Sequence, residues 1–265
     1  MSKETILIKL GGSLITNKSK PFSERREVIT NLVEQIKRAW DHGEYQIIVG
    51  HGGGSYPHVP AMKYRTMEGV IDHESVYGAA VVEDAAAQLN RIVVAEFLKQ
   101  KLPAVSVNPS SCLILNQRIK EQYFTLAIKK MLELGMIPVI YGDVLLDKTQ
   151  GFTIWSTEQL LNFLAEQLLS EGMAIDKIIH CGETDGFLIG GEVIPEITTA
   201  NFMEMKKNIT VTEGFDVTGG MLHKIEEALR TAQQGIDSYI IGGNHGGNLY
   251  RAIVGDPFIG TRIRV

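Results

Sequence analysis

Ile6-Leu7-Ile8-Lys9-Leu10-Gly11-Gly12-Ser13 carries the first decision about this chain. A short β-rich run stops on two glycines, and residues 24–41 then place Val28, Leu32, Val33, Ile36, Ala39 and Trp40 at helical spacing. Gly43 closes that helix, and Ile47-Ile48-Val49 opens a second β-rich run, which makes one βαβ unit. The alternation continues: residues 104–107, 137–141, 177–180, 239–241 and 262–265 read as strands, with helices at 74–101, 123–134, 156–171 and 220–234. Such a pattern predicts an α/β protein, a three-layer αβα sandwich around a mostly parallel open sheet. Gly190-Gly191, between two apolar runs, predicts a tight hairpin beside it.

The stretch 74–101 carries Val81, Val82, Ala85, Leu89, Ile92, Val93 and Phe97, too apolar for one buried stripe. Either it crosses the centre of a large core or it packs on a second subunit, and a homodimer is expected. No low-complexity linker divides the chain. Two lobes sharing one continuous sheet are therefore expected, residues 1–150 and 151–265, with a weak boundary in the turn at 147–151.

Of the 265 residues, 26 are Lys or Arg and 31 Asp or Glu, a net charge of −5 that argues against a general nucleic-acid surface. Cys112 and Cys181 form neither a disulfide framework nor a zinc-ligand pattern, which suits a reducing cytoplasm. No apolar leader opens the chain, and no apolar run approaches the ~18 residues that span a bilayer, so no membrane association is expected.

Four glycine clusters are expected where a strand ends and a helix starts: Gly11-Gly12-Ser13, Gly50-His51-Gly52-Gly53-Gly54-Ser55, Gly219-Gly220 and Gly242-Gly243. In a parallel sheet such ends gather on one edge, where backbone amides are free to bind anions. No Gly-Lys dipeptide exists, so a Walker A loop is excluded. Ser55 stands where GxGxxG needs its third glycine, and no esterase elbow, HExxH helix or EF-hand loop is present. Lys9, inside an apolar strand, Lys18, in a polar loop, and Lys224, one helical turn after Gly219-Gly220, supply cations beside three of the loops. Phosphoryl transfer, which needs alignment and charge stabilisation more than covalent chemistry, fits that arrangement.

Together Ile8–Ser13, Gly50–Ser55, Tyr141-Gly142-Asp143 and Val217-Thr218-Gly219-Gly220-Met221-Leu222-His223-Lys224 resemble the amino acid kinase superfamily, in the right order along the whole chain. Thr16-Asn17-Lys18, Ser55-Tyr56-Pro57-His58 and the ending Asp256-Pro257-Phe258-Ile259-Gly260-Thr261 resemble its isopentenyl phosphate kinase branch most. The resemblance implies the amino acid kinase fold and Mg2+-ATP-dependent phosphorylation of isopentenyl phosphate, a step of an alternative mevalonate route. It also implies roles. Lys9, Gly11, Gly12, Ser13, Gly54, Gly220 and Lys224 would hold ATP, Gly53 and Gly142 would lie against the acceptor phosphate, His58 would donate to it, and Lys18 would stabilise the transferring group. No protein ligand for the metal is implied. A small-molecule phosphate is the partner, the acceptor half being 1–150 and the ATP half 151–265.

Two departures stand out. Where the family usually reads Ser-Gly-Asp-Asp, this chain has Ser156-Thr157-Glu158-Gln159. Glu158 either replaces the lysine-organising aspartate on a longer arm, within the ATP site, or is an ordinary first-turn acid capped by Ser156 or Thr157. The usual Thr-Asp-Val-Asp-Gly appears as Gly182-Glu183-Thr184-Asp185-Gly186. Ala61, Met62, Tyr64, Ala79 and Val82 are available for an apolar tail, while a fosfomycin-kinase-like acceptor or a non-catalytic nucleotide-binding relative are the alternatives.

Overall fold

The computed structural model describes residues 3–209 and 219–265, and for residues 206–209 and 219–224 the backbone alone. In chain order its elements are β1 (Glu4–Leu10), α1 (Gly12–Ile15), α2 (Arg26–Trp40), β2 (Tyr45–His51), α3 (His58–Lys63), α4 (Ser75–Lys99), β3 (Ala104–Ser106), β4 (Leu113–Asn116), β5 (Ile119–Tyr123), α5 (Leu126–Glu133), β6 (Ile137–Tyr141), β7 (Asp143–Asp147), β8 (Gly151–Trp155), α6 (Thr157–Ser170), β9 (Lys177–Gly182), β10 (Leu188–Ile189), β11 (Glu192–Val193), β12 (Glu196–Thr198), α7 (Thr199–Ile209), α8 (Gly219–Ala232), β13 (Asp237–Gly242), α9 (Asn248–Val254) and β14 (Gly260–Arg264).

Eight strands form the main sheet in the order β12-β14-β13-β9-β1-β2-β6-β3. From β13 to β3 every neighbour is parallel, and only the edge pair β14 and β12 runs the other way. Strands covered on both faces have no solvent side, which explains the near-continuous apolar runs. Ile6, Ile8 and Leu10 of β1 enter one core with Leu32 and Ile36 of α2, Leu89 and Phe97 of α4 and Leu249 of α9. Leu7 enters the opposite core with Leu160, Leu161 and Leu164 of α6. Lys9 falls on the Leu7 side by alternation. Each fully buried Ile or Leu contributes about 2–3 kcal/mol, so a one-residue slip that drove Lys9 into the α2–α4 core would be strongly disfavoured.

The main sheet draws strands from both 1–150 and 151–265, and a second sheet that the sequence reading did not anticipate accompanies it. A separate four-stranded sheet, β5-β4-β7-β8, lies beside the main one. Its outer strand Ile119-Lys120-Glu121-Gln122-Tyr123 is mostly exposed, so it carries no apolar run. The turn before it uses Gln117 and Arg118 at φ 52° and 63°, without the glycine that usually marks such a hairpin. The helix expected at 123–134 accordingly starts at Leu126, because Tyr123 closes β5. Residues 147–151 form the tight turn of the β7–β8 hairpin, held by Asp147 Oδ1, which accepts from Thr149 N at 2.8 Å. The hairpin at Gly190-Gly191 is present, both residues at positive φ.

Candidate active site

Gly11, Gly52 and Gly142 follow β1, β2 and β6, while Gly182 and Gly242 end β9 and β13. These five strands are parallel neighbours, so their loops share one edge of the sheet. The first two loops interlock: Gly11 N donates to Cys181 O at 2.8 Å, and Gly52 N donates to Leu10 O at 2.9 Å. A Cβ on Gly12 would lie 2.5 Å from Gly54 N, and one on Gly52 2.7 Å from Gly12 N. Gly54 takes φ +54°. Gly12, Ser13 and Leu14 are the first-turn residues of α1, whose amides have no intrahelical acceptor. Gly219-Gly220 starts α8 and follows α7 rather than a described strand.

Lys9 meets Glu158. Its Nζ lies 3.0 Å from Glu158 Oε2, and Glu158 Oε1 lies 3.7 Å from His180 Nδ1. Helix α6 brings the carboxylate there because its first turn is fixed: Gln159 N donates to Ser156 Oγ at 3.2 Å and Ser156 N to Gln159 Oε1 at 2.9 Å, a capping box. Thr157 Oγ1 donates to His51 O at 2.6 Å, tying that helix end to the second glycine loop. Glu158 thus both occupies a first turn and pairs with an active-edge lysine.

Lys18 and His58 come together from two loops sewn to each other. Ser55 N donates to Thr16 Oγ1 at 2.9 Å, Phe22 N to Ser55 O at 3.2 Å and Ser23 N to Ser55 Oγ at 3.2 Å. Tyr56 OH donates to Glu24 Oε2 at 2.5 Å, which holds that carboxyl below the usual range. His58 opens α3, and its pKa is lowered first by desolvation and then by the positive charge of Lys18. The Lys18 side chain is exposed.

Beneath the loop, His51 is fully buried. Its Nδ1 lies 3.2 Å from Gly52 O and its Nε2 3.2 Å from Asn90 Nδ2, and Asn90 Oδ1 accepts from Ser106 Oγ at 2.5 Å. A carbonyl only accepts and an amide nitrogen only donates, so these contacts select the neutral ring protonated on Nδ1. Burial pushes its pKa down to about 4. Beside Gly142, the buried Asp143 accepts from Ser110 N at 3.0 Å and Val144 N at 2.8 Å, while desolvation raises its pKa to about 6.

Ala61, Ala79 and Val82 do converge, with Val144, Phe152 and Ile154. Met62 points outward at 81% exposure, and Tyr64 packs on Tyr77 instead. Lys224 and the contacts of Gly220 lie outside the described side chains. Two features are not legible in the sequence. His180 stands level with Lys9 in register, a signal readable only once β1 and β9 are paired. Asp185 Oδ1 lies 2.7 Å from His245 Nε2 at the ends of β9 and β13, a pair separated by 60 positions.

The model of the amino acid kinase family matches residues 4–242. An isopentenyl phosphate kinase of Methanocaldococcus jannaschii is 30% identical over 260 residues, covering 94% of this chain and 95% of the relative. The enzyme of that name from Methanothermobacter thermautotrophicus is 32% identical over 270 residues, covering 97% and 98%. A solved structure of isopentenyl phosphate kinase superposes with a TM-score of 0.81 at 28% identity, over 98% of this chain and 100% of that one.

Proposed function

Because the chain belongs to the amino acid kinase family, we propose that it transfers the γ-phosphoryl group of ATP to isopentenyl phosphate, yielding isopentenyl diphosphate and ADP. The observation that supports this reading is that the positive charge of Lys18 is felt at His58, beside the interlocked glycine loops. Donor and acceptor are both anions, so amides and cations must offset their repulsion before in-line attack. An acceptor phosphate oxygen is already ionised near neutral pH, and no general base is required.

In this reading Lys9, Gly11, Gly12, Ser13, Gly54, Gly220 and Lys224 hold the ATP phosphates. Glu158 orients Lys9. Gly53, Gly142 and His58 hold the acceptor phosphate, with the Nε2 or Nδ1 proton of His58 as donor, and Lys18 neutralises charge on the group in flight. The Ala61, Ala79, Val82, Val144 and Phe152 cluster, beyond His58, takes the apolar tail. Residues 1–150 serve the acceptor and 151–265 the nucleotide. In this reading Mg2+ would arrive on the nucleotide, where it shields phosphate charge. Along α4 the exposed line runs from Tyr77 and Ala80 through the hydrogen-bonded Asp84 and Gln88 to Ala95 and Leu98, and in this reading its apolar ends meet a second copy of the chain. No described helix is long and apolar enough to cross a membrane, and the reading puts the reaction in the cytoplasm.

The test is ADP release from Mg2+-ATP with isopentenyl phosphate, dimethylallyl phosphate, fosfomycin, acetylglutamate, carbamate and UMP, the products being identified by phosphorus NMR. Diphosphate formed from the C5 phosphates alone is the expected result. Turnover of another acceptor instead would move the assignment within the family.

A further inference from the structure

One peptide unit at the head of the second glycine loop is held from both sides. The carbonyl of His51 accepts from Thr157 Oγ1 at 2.6 Å, and the N–H of Gly52 donates to Leu10 O at 2.9 Å. Both groups belong to the same planar unit, so α6 and β1 together fix its orientation. The next carbonyl, that of Gly52, is met by His51 Nδ1 at 3.2 Å. Beyond it the amides of Gly53 and Gly54 donate no hydrogen bond among the described residues, and their direction follows from the plane before them. Three consecutive glycines would otherwise leave that direction loosely set.

The helix itself does not need the Thr157 hydroxyl. Ser156 already caps α6, its Oγ accepting from Gln159 N at 3.2 Å, which leaves Thr157 Oγ1 to the loop. The side chain is buried and β-branched, so it holds one rotamer. Its methyl lies over Gly50, where a Cβ would come within 2.6 Å of Thr157 Cγ2, and its hydroxyl is thereby turned to His51 O. A Cβ on Gly142 would lie 3.2 Å from both Thr157 N and Oγ1, so the same residue also backs the loop after β6. We propose that Thr157 is a positioning residue for the phosphoryl transfer: its hydroxyl pins the His51–Gly52 peptide and so aims the Gly53 and Gly54 amides at the phosphates. This rests on the reading of that loop as the phosphate site.

The experiment compares Thr157→Val, which keeps the shape and removes the hydroxyl, with Thr157→Ser, which keeps the hydroxyl, and Thr157→Ala, which removes both branches. Thermal melts check that each folds. Thr157→Val and Thr157→Ala should lower kcat about ten-fold while both KM values stay within about three-fold, and Thr157→Ser should keep most of the turnover. A hydroxyl that only stabilised the fold would lower the melting temperature and leave kcat alone. That result, or a serine variant as slow as the valine one, would overturn the proposal. A second measurement needs no turnover: hydrogen exchange at the Gly52 amide should quicken about ten-fold in Thr157→Val, while the Ile48 amide within β2 keeps its rate. An unchanged Gly52 amide would overturn it too. An enzyme silent toward every acceptor would sink the functional reading and leave the pinned peptide to the exchange result.

Discussion

Gly12 and Gly54 meet backbone to backbone, so close that a Cβ on Gly12 would lie 2.5 Å from Gly54 N and 2.9 Å from its Cα. Neither obstructing atom belongs to a side chain that could turn away. Gly12→Ala must therefore push apart the two loops that face the proposed phosphate site, at a stability cost of about 1–3 kcal/mol and with a loss of turnover of about a hundred-fold. Gly135→Ala is the control: its φ is +74° but open space surrounds it, so it should lose about 1 kcal/mol and keep its activity. Thermal melts paired with the coupled ADP assay separate the two, and equal activity losses would refute the loop argument.

Lys18→Ala should reduce kcat by about 10²–10³ while the KM for ATP stays within a few-fold, since its charge matters most as the phosphoryl group moves. The His58→Ala variant should chiefly raise the acceptor KM. A link between the two is measurable without catalysis. Lys18 helps depress the His58 pKa, so Lys18→Met should move the His58 titration up toward its ordinary value, read by NMR.

Where the chain obeys one rule, its sequence is readable. Ile6–Leu10 and Ile47–Val49 are buried on both faces, and an apolar run of that length between glycines fits little besides a central strand. Lys9 is visible because it breaks such a run. The β4–β5 hairpin is not: its outer strand is polar, and Gln117 and Arg118 adopt positive φ where glycine would have signalled the turn. Lys18 stands out locally only through its place near the first glycine loop, and His58 is an ordinary histidine to any local reading, singled out by the family resemblance alone. Their proximity depends on the Ser55 hydrogen bonds joining loops more than 30 positions apart. His180 and the Asp185–His245 pair depend on strand pairing, which local sequence does not reveal.

If two copies meet through α4, replacing Tyr77 and Ala80, both exposed on it, should separate them. Sedimentation of the wild-type protein is expected to give a dimer and Tyr77→Glu/Ala80→Glu a monomer, since a desolvated unpaired carboxylate costs more than a rim contact returns. A wild-type monomer would remove α4 as an interface.

His51 and Asp143 pull the stability of this fold in opposite directions with pH. The His51 pKa falls from 6.5 to about 4 on folding, so its stabilising contribution is present above pH 6.5 and is lost as pH drops through 4. The Asp143 pKa rises from 3.8 to about 6, so its contribution is present below pH 3.8 and is lost as pH climbs through 6. At 1.36 kcal/mol per unit each amounts to about 3 kcal/mol, and between pH 4 and 6 the two nearly cancel in the wild-type protein. Single variants expose them. Relative to wild type, Asp143→Asn should gain stability as pH rises from 4 to 7, and His51→Gln should gain it as pH falls over the same range. Constant losses from altered hydrogen bonds shift each difference curve without changing its slope. Denaturant midpoints at four or five pH values decide the matter: opposite slopes support both burial assignments, and a flat curve for either variant shows that its group titrates normally in the folded protein.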